Sequence, residues 1–204
     1  MIKWGISAYN HNAAIAVVED DQILFASESE RYSGIKNDSN IPENMIKEVL
    51  EYGEPDQIHW YENQLLKNIR RLYAGQKWKK LDIHPWIKRK RIRYHGHHET
   101  HARAGFYTSP FDSATVLVVD AIGEFNTTSI WLATNNHLTK FWTENYPNSL
   151  GLFYSAITHR VGLKPNEEEY ILMGMAAYGD PYKYYSHMKP LLKQNLHRGC
   201  RNWL

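Results

Sequence analysis

The chain contains a single cysteine, Cys200, among its 204 residues, so no disulfide bond can form within it. Such cysteine usage is typical of a protein from a reducing compartment. No apolar run approaches the roughly 20 residues that cross a bilayer. The first residues, Met1–Gly5, lack the basic start and long apolar core of a signal peptide. These absences predict a cytoplasmic protein that has no membrane partner.

The sequence also lacks an excess of charge of either sign. The 24 Lys and Arg residues against 22 Asp and Glu residues leave a net charge of +2, too little for binding nucleic acid with the whole surface. Basic residues concentrate between Lys77 and Arg93, within a stretch of about residues 62–94 that we interpret as a partly helical surface insertion. This run indicates either a solvated face or an anion-binding patch. We expect the solvated face and no nucleic-acid partner.

Two stretches of the sequence show the same order of three strands followed by a helix. Apolar and alternating runs predict the strands at residues 3–8, 13–18 and 22–27, and again at residues 114–120, 127–134 and 137–144. The pairs Asp20-Asp21 and Asn135-Asn136 are typical of hairpin turns. The order of elements therefore repeats, although the sequence itself does not.

Helix signals follow each set of strands. Pro42 at a first helical position predicts a helix that runs to about Tyr52, with Gly53 as its C-terminal stop. Ser149 is a candidate N-cap for a second helix, and Asn166 is a candidate N-cap for a third helix, which contains Gly174.

The repeated order is that of an α/β fold of the duplicated actin-like ATPase (ribonuclease H-like) type. In that fold two related lobes hold a nucleotide between them. We predict a first lobe over residues 1–111, complete and carrying the insertion, and a second lobe over residues 112–204. The second lobe is expected to be incomplete, because the strands that would close its sheet are expected beyond Leu204.

The most specific chemical pattern is a cluster of four histidines, at positions 95, 97, 98 and 101. On a helix, His97 and His101 lie one turn apart on one face, so both imidazoles can bind one cation. Asp120, at the end of an apolar strand, can supply a third ligand. A zinc-protease motif is excluded, because the histidine after the His-Glu pair comes one residue too early. A helix with solvated or core histidines is the alternative.

Two further motifs indicate a nucleotide site. Asp120-Ala121-Ile122-Gly123-Glu124 places an acid and a glycine turn at a strand end, where metals and phosphates bind in nucleotide-binding sheets. An ordinary hairpin turn is the alternative. Small residues around Gly174 allow close packing by an adenine ring or by another helix.

With these motifs in order, the chain resembles the O-carbamoyltransferases of the nodulation and cephamycin type. The segments that match the family are Gly5–Ala14, Glu30–Asp38, His97–Ala102, Ser109–Phe111, Ser149–Ser155 and Met173–Gly179. They extend over nearly the whole sequence. The chain departs from the family pattern at Asn12, Ala121 and Ile171, where the family usually has Asp, Gly and Lys.

The resemblance implies an actin-like domain, related to the tRNA threonylcarbamoyl transferase, that works on carbamoyl-adenylate. In the family a second, C-terminal domain makes this intermediate from carbamoyl phosphate and ATP. The first domain then transfers the carbamoyl group to a hydroxyl of a small acceptor molecule. This chain is therefore expected to be a carbamoyltransferase that is inactive without the missing C-terminal part.

The resemblance also implies site residues. Metal ligands, with iron as the expected divalent metal, would be His97, His101 and Asp120. Catalytic residues beside the carbamoyl-adenylate would be His11, as general base, and Lys36. Residues lining the nucleotide would be Gly123, Ser149, Gly151 and Gly174.

The expected partner is a second chain that carries the rest of the enzyme. Two alternatives stay open at this point. The chain could be a non-catalytic, nucleotide-binding remnant, or a tRNA-modifying protein of the threonylcarbamoyl type that uses its basic segment.

Overall fold

The computed structural model describes residues 1–10, 12–80, 83–135 and 137–198. The chain divides into two compact units, Met1–Thr100 and His101–Leu204. The division falls inside one helix, after its first turn. Each unit contains a β-sheet with helices, so the fold is mixed α/β.

The first unit is built on a five-stranded sheet. Its strands are β1 (Ile2–Ser7), β2 (Ala14–Glu19), β3 (Gln22–Glu28), β4 (Gln57–Trp60) and β5 (Ile92–Tyr94). Its helices are α1 (Glu30–Ser33), α2 (Glu43–Glu51), α3 (Gln64–Tyr73), α4 (Pro85–Lys88) and the first turn of α5 (His97–Tyr107). The strand order is β3-β2-β1-β4-β5. β2 runs antiparallel to β1 and β3, whereas β4 is parallel to β1 and to β5.

The turn between β2 and β3 confirms the predicted hairpin. Asp20 and Asp21 have φ angles of 44° and 69°, and the flanking residues Glu19 and Gln22 are paired across the hairpin. Two consecutive left-handed residues are the geometry of a two-residue hairpin turn, and aspartate tolerates this conformation better than most residues.

The core of the first unit lies on one face of its sheet. Alternate residues of the central strands point to this face and are buried: Trp4, Ile6, Ile15, Val17, Ile58 and Trp60. The apolar stripe of α2 covers them with Met45, Ile46 and Val49, and Ile87 of α4 joins the same cluster. Each such side chain contributes about 1.5–3 kcal/mol by leaving water.

Helix α4 packs on the sheet through its tryptophan. The rings of Trp4 and Trp86 are stacked, with centroids 4.9 Å apart and planes 21° from parallel. The indole N–H of Trp4 donates a hydrogen bond to the carbonyl of Gly53 at 3.2 Å. Both the stack and the hydrogen bond hold α4 and the end of α2 against β1.

The interpretation of residues 62–94 as a surface insertion is wrong for the end of this stretch. β5 pairs with β4 in the sheet, and Ile87 is fully buried. Single apolar residues in the basic run face the core, while their charged neighbours face outward. Lys90 remains outside, where it pairs with Glu54 at 2.6 Å and lies over the ring of Trp86.

The second unit begins with a three-stranded antiparallel sheet. Its strands are β6 (Ser113–Val119), β7 (Asn126–Thr134) and β8 (His137–Asn145), in the order β6-β7-β8. The helices that follow are α6 (Leu150–Arg160), α7 (Glu169–Ala176) and α8 (Tyr185–Arg198). The predicted strands are confirmed. Asn135 is left-handed, with φ of 47°, as the predicted turn requires; Asn136 lies outside the described residues.

The helix starts that were predicted at Pro42, Ser149 and Asn166 are confirmed only in part. Ser149 is the N-cap of α6, since its Oγ accepts a hydrogen bond from the amide of Leu152 at 3.0 Å. Pro42 is not the first residue of α2 but the extended residue before it. The prediction for Asn166 is wrong. Asn166 is left-handed, with φ of 65°, whereas an N-cap is extended. The amide of Asn166 donates a hydrogen bond to the side chain of Glu169.

The order of three strands followed by helices thus occurs in both units. The lobe boundary predicted between residues 111 and 112 stays a prediction. No helix in the described ranges is both long enough and apolar enough to cross a membrane.

Candidate metal and nucleotide site

Helix α5 presents the two histidines of the predicted metal site. His97 is its first residue and is buried, whereas His101 lies one turn later and is exposed. Residues four apart on a helix lie on the same face. The predicted helical spacing of this pair is therefore present in the structure.

Asp120 follows β6 and approaches the same histidines. The Nε2 atom of His101 lies 3.9 Å from Oδ2 of Asp120. One ligand atom from each of His97, His101 and Asp120 lies within 4.8 Å of the others. Around one cation, with bonds of about 2.0–2.2 Å, donor atoms lie about 3–3.5 Å apart. Small side-chain rotations would therefore bring these three groups onto one ion.

The backbone around Asp120 orients its carboxylate. Oδ1 accepts a hydrogen bond from the amide of Ala121 at 2.7 Å, and the amide of Asp120 donates to the carbonyl of Thr127 at 2.9 Å. Oδ1 is therefore held by the turn, and Oδ2 is the oxygen nearest to His101. Two imidazoles and one carboxylate form a donor set that suits a divalent first-row metal.

The N-terminus of α6 packs directly on the turn after Asp120. The Oγ of Ser149 donates a hydrogen bond to the carbonyl of Ala121 at 2.6 Å. A Cβ atom added to Gly151 would lie 2.5 Å from the backbone N and Cα of Ala121. In the same turn the amide of Gly123 donates to the carbonyl of Asn126 at 2.8 Å. The structure thus brings together Asp120, Gly123, Ser149 and Gly151.

This arrangement explains the residue types at two of the predicted nucleotide positions. Ser149 caps α6 and ties it to the turn, while Gly151 allows the contact because it has no Cβ. The amides of a first helical turn, together with the helix dipole, also favour a bound anion. Nucleotide binding at these positions stays a prediction.

Gly174 differs from the other predicted nucleotide residues. It is exposed in α7, and a Cβ added there would meet no described atom within 4 Å. The close approach that its small size would permit is therefore not made by any residue in the described ranges. Its role beside a nucleotide stays a prediction.

Lys36 lies exposed in the loop between α1 and α2, within the first unit. This loop is bonded to the connection between β1 and β2. The amide of Tyr9 donates to the carbonyl of Ser39, and the amide of Ala13 donates to the carbonyl of Asp38, both at 2.7 Å. The loop that carries Lys36 is therefore anchored to the segment on either side of position 11.

His11 itself lies outside the described residues, so its role as general base stays a prediction. In the loop that carries Lys36, the carboxylate of Asp38 accepts hydrogen bonds from the amide and the side chain of Asn40. The hydrogen bond from the backbone amide of Asn40 is the main reason why the pKa of Asp38 is lowered. The ionised form of Asp38 thus stabilises this loop.

The sequence analysis missed His59, in β4, and its pairing with His95, which follows β5 directly. Nδ1 of His59 lies 2.8 Å from Nε2 of His95, and Nε2 of His59 lies 3.1 Å from Oε1 of Gln57. Burial lowers the pKa of His59, and the nearby positive charges of His95, Arg93 and Lys3 lower it further. The alternation of β4 could have indicated His59, since it lies between the buried residues Ile58 and Trp60.

Comparison with known proteins identifies the family. Residues 59–202 match the family model described as "Carbamoyltransferase N-terminus", a range that includes the histidine helix, Asp120 and α6. The chain belongs to the carbamoyltransferase family. The matched part of the family is its N-terminal region.

Several relatives of this carbamoyltransferase-family chain are much longer than it is. It is 36% identical to the uncharacterized protein sll1178 of Synechocystis, over 87% of this chain and 34% of the relative. It is 30% identical to the uncharacterized protein MJ1051 of Methanocaldococcus jannaschii, over 82% and 32%. It is 26% identical to the nodulation protein NolNO of Sinorhizobium fredii, over 86% and 29%. The chain thus spans about a third of the length of these relatives.

Among solved structures, the Lmo2764 protein of Listeria monocytogenes is similar over 96% of this chain and 76% of its own. The TM-score is 0.42 and the sequence identity is 11%.

Proposed function

We propose that this chain is the part of a carbamoyltransferase that transfers a carbamoyl group from carbamoyl-adenylate to a hydroxyl of a small molecule. The observation that carries the proposal is the convergence of His97, His101 and Asp120 beside the N-terminus of α6, in a chain of this family. A metal-binding donor set and an anion-binding helix end are the two groups that such a reaction needs around a nucleotide.

The strand orders support an actin-like architecture for this proposal. In the first sheet, a three-stranded antiparallel meander is extended by two parallel strands, β4 and β5. The second unit again begins with a three-stranded meander and a helix. This recurrence is the pattern expected of a duplicated actin-like fold.

In the proposed reaction, the acceptor oxygen attacks the carbamoyl carbon and forms a new C–O bond. The bond between this carbon and the phosphate oxygen breaks, and AMP leaves with the electron pair. His11 takes the proton of the acceptor hydroxyl. The ammonium group of Lys36 balances the negative charge of the phosphate.

The proposed metal site uses only the three residues that converge at the end of β6. His97 and His101 would bind the ion through imidazole nitrogens, and Asp120 would bind it through Oδ2. We propose iron as the divalent metal. When bound, the ion supplies positive charge next to the oxygens of the adenylate.

The amides at the start of α6, around Gly151, would donate hydrogen bonds to the phosphate of the same nucleotide. We propose that a second chain carries the domain that makes carbamoyl-adenylate from carbamoyl phosphate and ATP. A nucleotide-binding remnant and a tRNA-modifying protein remain the alternatives.

The metal site is tested by replacing His101 with alanine. His101 is exposed, so its removal leaves no cavity, whereas His98 is almost fully buried and is a poor control. We expect His101→Ala to weaken the binding of Fe²⁺ or Zn²⁺ at least about tenfold, measured by titration and by metal content after purification. The control is His137→Ala, an exposed histidine of β8, which should leave metal binding unchanged. Equal losses in both variants, or no metal binding by the wild type, would contradict the assignment.

The reaction is tested with the chain produced together with the remaining part of the Synechocystis relative. The assay supplies radiolabelled carbamoyl phosphate, ATP and a panel of hydroxyl acceptors. We expect label in an acceptor, and we expect the transfer to be lost in Lys36→Ala. Nucleotide binding without transfer would support the remnant instead, and label in tRNA would support the tRNA-modifying alternative.

A further inference from the structure

Thr127 joins two parts of the candidate site, both of which lie in the second unit. It is the second residue of β7 and is fully buried. Its carbonyl accepts a hydrogen bond from the amide of Asp120 at 2.9 Å. Its hydroxyl donates to the carbonyl of Asn148, the residue before the N-cap of α6. One buried residue thus contacts both a proposed metal ligand and the segment that starts α6.

The position of Thr127 in the sheet explains where its hydroxyl points. Across from β8, Asn126 is the partner of Asn145. The next pair is Thr128 and Glu144, which leaves Thr127 as the extra residue of a β-bulge. A bulge redirects a side chain out of the regular alternation of a strand, and bulges are frequent next to active sites. Here the bulge directs the hydroxyl toward the segment that leads into α6.

A second hydroxyl closes these contacts into a ring. The Oγ of Ser149 donates to the carbonyl of Ala121 at 2.6 Å. Two peptide bonds, between residues 120 and 121 and between residues 148 and 149, complete the circuit. The ring consists of Asp120, Thr127, Asn148, Ser149 and Ala121. Both hydroxyls belong to short, buried side chains, so the ring has little freedom to deform.

We propose that Thr127 is a positioning residue, which holds the carboxylate of Asp120 at a fixed place relative to the first turn of α6. The inference rests on the proposed function only in that Asp120 binds the metal. Oδ1 of Asp120 is held by the amide of Ala121, and both of these residues belong to the ring. The ring therefore sets the place and the orientation of the carboxylate, as hydrogen-bonded partners behind metal ligands do.

A second threonine of the same unit separates this role from ordinary packing. Thr158, in α6, is also fully buried, and its hydroxyl also donates to a carbonyl, that of Tyr154, at 3.0 Å. That hydrogen bond lies within one helix and connects no other segment. Thr127→Val and Thr158→Val therefore remove the same group from equally buried sites, and only the first change opens the ring.

The ring is tested in the metal-free chain by hydrogen exchange, measured by NMR at the amides of Asp120 and Ala121. We expect Thr127→Val to accelerate exchange at both amides at least about fivefold, because the loss of one hydrogen bond makes local opening easier. Thr127→Ser keeps the hydroxyl and should exchange as the wild type does. Thr158→Val should leave both amides unchanged, even if its melting temperature falls as much.

The consequence for the site is tested by titration with Co²⁺, whose visible absorption reports its coordination. We expect Thr127→Val to weaken Co²⁺ binding at least about tenfold and to alter the absorption bands. Thr127→Ser should restore both, and Thr158→Val should bind Co²⁺ as the wild type does. If Thr127→Val does not fold, Ser149→Ala takes its place, because it opens the ring at the other hydroxyl and should have the same effects.

Two results would overturn the proposal. One is hydrogen exchange at Asp120 and Ala121 that is the same in the ring-opening variant as in the wild type. The other is an equal loss of Co²⁺ affinity in Thr127→Val and Thr158→Val. A wild-type chain that binds no Co²⁺ would instead contradict the metal site of the proposed function. Hydrogen exchange alone would then decide whether Thr127 positions Asp120.

Discussion

The two units of this chain are stabilised in different ways. The first unit buries a broad apolar cluster that includes Trp4, Trp60 and Ile58, all fully buried. In the described part of the second unit, the buried apolar cluster consists of Ala102, Val118 and Trp131. Its other buried side chains are largely polar: Glu124, Thr127, Ser129, Ser149, Ser155 and Thr158. Among the described residues, the interior of the unit that carries most of the candidate site is thus more polar than that of the first unit.

The polar packing of the second unit is well satisfied. The hydroxyl of Thr127 donates to the carbonyl of Asn148, and the hydroxyl of Ser155 donates to Glu169 at 2.7 Å. Burial acts to raise the pKa of Glu169, but hydrogen bonds from Ser155 and from the amide of Asn166 outweigh it, so the pKa is lowered. A directional network of this kind holds the backbone segments that it joins in one geometry.

The largest expected effect comes from comparing a tryptophan in each unit. Trp4→Ala removes a fully buried ring from the first core, and we expect a loss in the free energy of unfolding near the upper end of about 3–5 kcal/mol. Trp131→Ala removes a ring from the smaller core, and we expect a loss below about 3 kcal/mol. Urea denaturation followed by circular dichroism measures both. Equal losses of unfolding free energy in the two variants would show that the two units do not differ in how much their apolar cores contribute to stability.

A pair of glycines gives the next largest effect, within the second unit. Gly151→Ala would place a Cβ against the backbone of Ala121, so we expect a destabilisation of about 1–3 kcal/mol. Gly174→Ala is the matched control, because its Cβ meets nothing and glycine is unfavourable inside a helix. It should stabilise the chain by about 0.5–1 kcal/mol.

The Gly174→Ala variant also tests the predicted nucleotide role of this residue. If a nucleotide approaches Gly174 closely, the variant should lose affinity for AMP while its melting temperature rises. Unchanged AMP affinity would remove Gly174 from the site.

The smallest effect concerns the pH dependence of the first unit. The pKa of His59 is lowered by burial and by neighbouring positive charges, from an ordinary value of 6.5. The unfolded chain therefore binds a proton at pH values where folded His59 is still neutral, so stability falls as pH decreases below 6.5. His59→Gln should flatten this dependence in melting curves recorded at successive pH values. If the melting temperature of His59→Gln depended on pH as steeply as that of the wild type, the pH dependence would belong to other groups.

Much of the fold was predictable because local patterns coincide with the tertiary contacts. Asp20-Asp21 and Ser149 are turn and cap residues whose preferences are local, so the sequence alone indicated their roles. Asn166 was misassigned because its backbone is left-handed, with φ of 65°, which the residue type alone does not reveal, and the helix begins only at Glu169. β5 was missed because a three-residue strand among arginines and lysines has no apolar run to indicate it.

The candidate site was predictable only where the helical spacing determines it. His97 and His101 lie on one face of a helix, and four-residue spacing indicates that face directly. The contact of Gly151 with Ala121 joins segments 30 residues apart, and spacing gives no sign of it. The pairing of His59 with His95 likewise depends on which strands are neighbours, which only the sheet order reveals.

The stacked indoles of Trp4 and Trp86 make the first unit an optical reporter of its own assembly. Two rings held nearly parallel at this separation couple their electronic transitions and produce a paired positive and negative band in circular dichroism. One ring belongs to the central strand and the other to the short helix in the basic segment. The coupled signal therefore exists only while that helix is docked on the sheet, and its loss would report undocking before the rest of the chain unfolds.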